Sequence, residues 1–122
     1  MDHSPAFLAL VDAARARIRE IDAGDLPQRM ADCPDLVLID TREDYEWQAG
    51  HVLGAVHMGK GVIERDIEAR YPERDTPLYL YCGGGYRSAL AADNLRQMGY
   101  TDVWSVDGGY KALQTMLPVT KA

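Results

Sequence analysis

Apolar residues along this chain recur at two spacings, one helical and one suited to short buried strands. Phe7, Val11, Ala14 and Ile18 repeat every three or four residues and predict an amphipathic helix, with Ser4 at its N-cap and Pro5 in its first turn. Asp25, followed three residues later by Gln28, predicts a capping box opening a short helix in which Pro27 is tolerated. Residues 36–39, Leu-Val-Leu-Ile, form a continuous branched run, the pattern of a strand buried on both faces of a parallel sheet.

Thr41 with Asp44 predicts a second capping box, leading a helix through Tyr45 and Trp47. Residues 55–57 predict another short strand. Ile63 and Ile67 mark a helix that stops near Tyr71, because Pro72 disfavours helix just before it. Residues 78–81 read as a third strand. From 88 to 98 the apolar set Ala91, Ala92, Leu95 and Met98 predicts a helix closed by Gly99. Residues 103–106 predict a further strand, and Gly108-Gly109 turns the chain into a last helix ending before Pro118. Strands alternating with helices imply right-handed crossovers and a mainly parallel sheet covered on both faces, an α/β fold in one domain.

Composition narrows the class. The 122 residues have room for one hydrophobic core. A content of 47% apolar and 26% charged residues excludes a wholly disordered or collagen-like chain. The net charge of −6 argues against nucleic acid or a membrane surface as partner, since both repel an acidic surface. Two cysteines, Cys33 and Cys82, are too few for a disulfide scaffold and place the expected home in a reducing cytoplasm. Asp2, His3 and an apolar stretch cut short by Asp12 do not make a secretory signal, and no apolar run approaches a membrane span.

The candidate chemistry gathers at Cys82. This residue ends the strand 78–81 and is followed by Gly83, Gly84, Gly85, Tyr86, Arg87 and Ser88, where the next helix is expected to open. Ligands of open α/β sheets bind beyond the carboxyl ends of strands. Three glycines let the loop turn its amides inward, and the helix start adds unsatisfied N–H groups. The spot therefore welcomes an anion, including the thiolate of Cys82 as a nucleophile. Between Thr76 and Ala92 there is no acidic residue and Arg87 is the only charge, so the stretch is a positive island in an acidic chain.

The run from Cys82 through Gly83, Gly84, Gly85, Tyr86 and Arg87 to Ser88 resembles the active-site loop of rhodanese-domain sulfurtransferases. Upstream, Asp40-Thr41-Arg42-Glu43, Glu46, Gly50-His51-Val52 and Gly54-Ala55 resemble that family's other signature, and Val106-Asp107-Gly108-Gly109-Tyr110 its C-terminal turn. Gly59 and Leu113 depart from it, where the family often has proline and tryptophan. The resemblance implies about five parallel strands flanked by helices on both faces, with residues 18–122 as the rhodanese-like domain and 1–17 as an N-terminal helical extension. It also implies a reaction. Cys82 takes a sulfane sulfur from a small anionic donor such as thiosulfate and passes it to a thiophile, whether cyanide, a thiol or a protein.

In that reading Cys82 is catalytic, Gly83 to Ser88 bind the donor, Asp40 and Arg42 form a structural ion pair beside the site, and neither metal nor cofactor is required. Cysteine-dependent phosphatases are the rival enzyme class, but they place five residues between cysteine and arginine. Here there are four, a smaller ring that suits one sulfur atom. A non-catalytic rhodanese-like binding or sulfur-relay module is the other alternative. His51 and His57 are expected in structural hydrogen bonds, Trp47 and Trp104 in the core, and Cys33 as an inert thiol. The stripe of the first helix is expected to bury on the domain or against a second copy, leaving monomer and homodimer both open.

Overall fold

The computed structural model describes residues 3–121. Five parallel strands form one sheet in the order β1-β6-β5-β2-β4: β1 (Arg19–Asp22), β2 (Val37–Asp40), β4 (Val56–His57), β5 (Leu78–Tyr81) and β6 (Val103–Asp107). A two-stranded antiparallel pair, β3 (His51–Val52) with β7 (Val119–Thr120), lies outside it. Helices cover both faces, as expected for parallel strands apolar on each side.

Side-chain alternation along the central strand explains the two cores. Leu78 and Leu80 of β5 face one way, packing with Ile39, with Ile63 and Ile67 of α4 (Ile63–Arg70), and with Ala91, Ala92 and Leu95 of α5 (Tyr86–Gln97). Tyr79 and Tyr81 face the other way, packing with Leu38, Val106, Leu26 of α2 (Leu26–Asp32) and Leu113 of α6 (Gly109–Leu113). One period-2 strand thus supplies both faces of a three-layer domain.

The first helix, α1 (Pro5–Arg15), is capped as its sequence predicts, with the Phe7 amide donating to Ser4 Oγ at 3.2 Å. Val11 and Ala14 are buried, and α1 packs on α5 of the same chain. The stripe that suggested a dimer surface is therefore used internally. Ile18 lies beyond the helix end and packs on the core from the approach to β1.

Several local expectations need correction. Asp25 takes the N-cap position of α2 as expected, but its side chain makes no capping bond, because a 3-10 turn over Ala23–Asp25 leads straight into the helix; the cap of that turn is Asp22, whose carboxylate accepts from the Gly24 amide at 3.1 Å. Gln28 instead donates to Asp32. The capping box of α3 (Asp44–Ala49) is built from Glu43 and Glu46, not Thr41 and Asp44. Thr41 turns inward, its hydroxyl donating to the Tyr81 carbonyl at 2.9 Å. β1 escapes sequence patterning because only Ile21 of its four residues is buried at the sheet edge. The helix after the glycines starts at Tyr86, two residues before Ser88.

Candidate functional site

Cys82 stands directly after the carboxyl end of β5, with 1% of its surface exposed. Gly83–Gly85 form a tight loop, and Tyr86, Arg87 and Ser88 are the first turn of α5. The six residues singled out for donor binding therefore divide between loop and helix start. The Gly85 amide donates to Cys82 Sγ at 3.1 Å, and the thiol reaches Ser88 Oγ at 3.5 Å. Ser88 Oγ in turn bonds Ser105 Oγ of β6 at 2.8 Å. Both serines are fully buried, so the hydroxyl chain ends at the sulfur.

Two glycines are required here by geometry. Gly85 holds the N-cap of α5 at φ 108, a region that side chains with a Cβ rarely enter. Gly109, at φ 53, lies so close to the loop that a Cβ would sit 2.5 Å from the Cys82 carbonyl oxygen and 2.7 Å from that of Gly83. That close approach lets the Tyr110 amide donate to the Cys82 carbonyl at 2.7 Å, and the Lys111 amide to the Gly83 carbonyl at 3.1 Å. In trans peptides the next N–H points the opposite way. With both carbonyls bound to α6, the Gly83 and Gly84 amides are turned away from that helix.

Arg87 does not stand alone. Its guanidinium donates to Glu46 of α3 at 2.7 and 3.2 Å. That hydrogen bond holds the Glu46 carboxyl below its ordinary range and raises the Arg87 guanidinium above its own. The positive island read from the sequence is thus partly neutralised by a residue 41 positions away. Glu46 is the functional neighbour that local reasoning missed. Its only signal was its place in the upstream signature.

Asp40 and Arg42 form the expected buried pair, with Asp40 0% and Arg42 5% exposed. Arg42 donates to the carboxylate through Nε and Nη2, the latter at 2.8 Å, and Nη2 also reaches the Gly50 carbonyl at 2.6 Å. Burial opposes the Arg42 charge, but the hydrogen bonds and charge of Asp40 outweigh it and raise the guanidinium's pKa. The guanidinium lies 4.1 Å from the Tyr110 ring centroid. The pair thereby fastens the end of β2 to the helix that grips the Cys82 loop. Arg42 opens on a different cavity, shared with His57.

His51 and His57 stack on Trp47, with ring centroids 3.4 and 4.9 Å away, and donate from Nδ1 to the Trp47 carbonyl and from Nε2 to the Arg42 carbonyl. Both tryptophans are half-buried rather than core; Trp104 packs on Tyr79 and beneath the Arg29 guanidinium. Cys33 follows α2 and precedes β2, whereas Cys82 follows β5. Val37 pairs with Leu78, so Cys82 lies about 13 Å further along the parallel strands, beyond disulfide reach.

A cavity of about 700 Å3 opens over the loop. Cys82, Gly83, Gly84, Tyr86 and Arg87 form its floor, and Glu46 and Tyr45 of α3 one side. Lys111 of α6 stands at the rim, and His3, Ser4 and Phe7 close it from the N-terminal segment.

Comparison with known proteins agrees with this architecture. The family model described as rhodanese-like domain matches residues 22–116. A Pseudomonas aeruginosa thiosulfate sulfurtransferase structure is 30% identical with a TM-score of 0.76, over 85% of this chain and 20% of that one. A Rhodopseudomonas palustris structure, described as a protein of unknown function and possible tyrosine phosphatase, is 26% identical with a TM-score of 0.85, over 98% and 99% of the two chains. Among curated proteins, an uncharacterized Bacillus subtilis protein is 41% identical over 61% of this chain, and a Cronobacter sakazakii tRNA uridine(34) hydroxylase 32% identical over 74%. The chain spans 57% and 28% of the lengths of those two relatives.

Proposed function

This chain belongs to the rhodanese-like domain family, and from that premise we propose that it is a sulfurtransferase working through a persulfide on Cys82. The observation that carries this reading is the Gly85 amide donating to Cys82 Sγ itself, inside a ring of four residues between cysteine and arginine. Such a ring encloses a sulfur atom rather than a phosphoryl group above it.

The steps balance. The Cys82 thiolate attacks the outer sulfur of thiosulfate; its S–S bond breaks and sulfite leaves with the electron pair. The product is a Cys82 persulfide anion. An acceptor thiophile then attacks the terminal sulfur, the Cys82 S–S bond breaks, and the thiolate is restored. Splitting the transfer into two displacements is the usual gain of nucleophilic catalysis. The Gly85 amide and the outward Gly83 and Gly84 amides stabilise the anionic sulfur, as preorganised donors do at developing charge. Ser88 can turn its hydroxyl to the thiolate because Ser105 can donate to Ser88 in its place. Arg87 has five N–H donors, of which Glu46 takes two, so the others remain for the anionic donor. Two free thiols fit a reducing compartment such as the cytoplasm.

A cysteine-dependent phosphatase is the second reading, favoured by the likeness to the Rhodopseudomonas palustris protein described as a possible tyrosine phosphatase. One experiment separates them. The protein is incubated with thiosulfate, freed of excess donor and weighed intact beside Cys82→Ala. A species heavier by one sulfur atom, absent from the variant and discharged by cyanide, is expected. No adduct with thiosulfate or with a small persulfide donor, together with Cys82-dependent hydrolysis of an aryl phosphate, would replace the sulfur reading by the phosphatase.

A further inference from the structure

The N-terminal segment lies outside residues 22–116 matched by the family model, yet it reaches the pocket of Cys82. The His3 ring sits 4.4 Å from that of Tyr86, and Phe7 lies 6.3 Å from Tyr86 and 5.1 Å from His3, so three rings form one wall. Tyr86 is the residue just before Arg87, which makes this wall continuous with the floor of the site. Tyr45, 73% exposed, stands on the side of α3.

The wall is fixed to the loop rather than leaning on it. Arg15, in the last turn of α1, donates to the Gly85 carbonyl at 3.5 Å and lies 5.1 Å from the Tyr86 ring centroid. Arg17, just beyond, pairs with Asp93 of α5 at 2.7 Å. Val11 and Ala14 bury the middle of α1 against the domain. The first turn of α1 therefore keeps its position over Cys82.

Thiosulfate and cyanide are ions of a few atoms and need no aromatic wall. A cavity of about 700 Å3 is of the size that takes a whole organic ligand. Charge narrows the ligand further. Glu46 already holds Arg87, and among the described residues Lys111 has no ion-pair partner, so the rim offers a free ammonium. We propose that His3 and the first turn of α1 select the sulfur acceptor, and that this acceptor is an organic thiol with an aromatic or apolar body and a carboxylate. The body lies against His3, Phe7 and Tyr86, the carboxylate pairs with Lys111, and the thiolate points down to Cys82. This rests on the sulfurtransferase reading for its chemistry but not for its geometry. In the reaction the acceptor thiolate forms a bond to the terminal persulfide sulfur, the Cys82 S–S bond breaks, and an organic persulfide leaves.

Two measurements test it, one of them independent of sulfur transfer. The probe for binding is 4-(methylthio)benzoate, which has the proposed shape but no thiol to accept sulfur. Titration of the free protein, followed by amide shifts of the Cys82 loop, is expected to saturate. Its dissociation constant should rise about tenfold in Phe7→Ala and in Lys111→Gln. Absence of binding to the wild-type protein would overturn the pocket assignment, whatever the sulfur chemistry does.

The second measurement follows discharge of the persulfide by 4-mercaptobenzoate, by its methyl ester and by cyanide. Phe7→Ala should raise KM about tenfold for both aromatic thiols and leave cyanide within about twofold. Lys111→Gln should affect the carboxylate and spare the ester. His3→Ala, at a ring with no hydrogen bond among the described residues, serves as the second wall variant and should follow Phe7→Ala. Equal losses with all three acceptors would reduce α1 to a support for the loop, and no change would remove it from the site. Failure of thiosulfate to load the wild-type protein would count against the sulfurtransferase reading alone.

Discussion

The Arg87 guanidinium closes on both carboxylate oxygens of Glu46, at 2.7 and 3.2 Å, although the two residues are 41 positions apart. In the proposed reaction, Arg87 would divide its donors between the anionic sulfur donor and this internal counter-charge. Replacing Glu46 by Gln keeps the shape and removes the charge. Glu46→Gln is expected to lower the KM for thiosulfate a few-fold with kcat little changed, at a stability loss of about 1 kcal/mol or less, as for a partly exposed pair. Arg87→Ala should lower kcat/KM by roughly a hundredfold, the scale of losing one charged donor at an anion. Steady-state thiocyanate formation reads both, and a rise in KM for Glu46→Gln would show that Glu46 orients Arg87 rather than neutralising it.

Gly109 and Gly84 make a matched pair for the loop. A Cβ at Gly109 collides with backbone at 2.5 Å, whereas one at Gly84 meets the edge of the Tyr86 ring at an ordinary 3.6 Å. Gly109→Ala should cost about 2 kcal/mol or more in urea unfolding and abolish sulfur loading, because the Cys82 and Gly83 carbonyls must move. Gly84→Ala should stay within about 0.5 kcal/mol of wild type.

Ser105 has no place in the chemistry except through Ser88. Its removal leaves one buried hydroxyl short of a partner. Ser105→Ala is therefore expected to destabilise by about 1 kcal/mol and to slow alkylation of Cys82 by iodoacetamide at fixed pH. An unchanged alkylation rate would show that the hydroxyl chain does not act on the sulfur.

Acid should loosen the attachment of α1. Asp93 accepts from Arg17, Arg96 and Gln97, and the Arg17 hydrogen bond, ahead of burial acting the other way, holds its carboxyl below the usual range. A depressed carboxylate contributes stability that is present at neutral pH. That contribution fades as pH falls below about 4, the unfolded value, and through the lower folded one. Glu46 adds in the same direction. Asp93→Asn should be less stable than wild type at pH 7 and flatter in its acid limb, read by denaturant midpoints from pH 7 to 2.5. An equally steep limb in the variant would place the acid sensitivity elsewhere.

The local elements were legible in the sequence because each rests on contacts close along the chain. The run at residues 78–81, the glycines behind Cys82 and the Gly99 stop, at φ 99, carry their own backbone preferences. Ser4 at the start of α1 works the same way. Where two local solutions compete, sequence reading chose wrongly: Glu43 took the cap that Thr41 offered, since the Thr41 hydroxyl had a buried carbonyl to satisfy. β1 and the β3–β7 pair stayed hidden, being two to four residues long and stabilised by pairing rather than by pattern.

By itself, then, the sequence determined the parallel sheet, the position of Cys82 at a strand end and the glycine loop that holds it. These follow from hydrophobic period and from the φ angles glycine permits. Only the tertiary structure decided that Glu46 meets Arg87, that Gly109 presses on the Cys82 carbonyl, and that His3 and Phe7 wall the pocket. An ion pair or an aromatic contact has no preferred sequence separation. It forms wherever packing of the two cores brings its partners within reach, and that packing is a property of the whole chain.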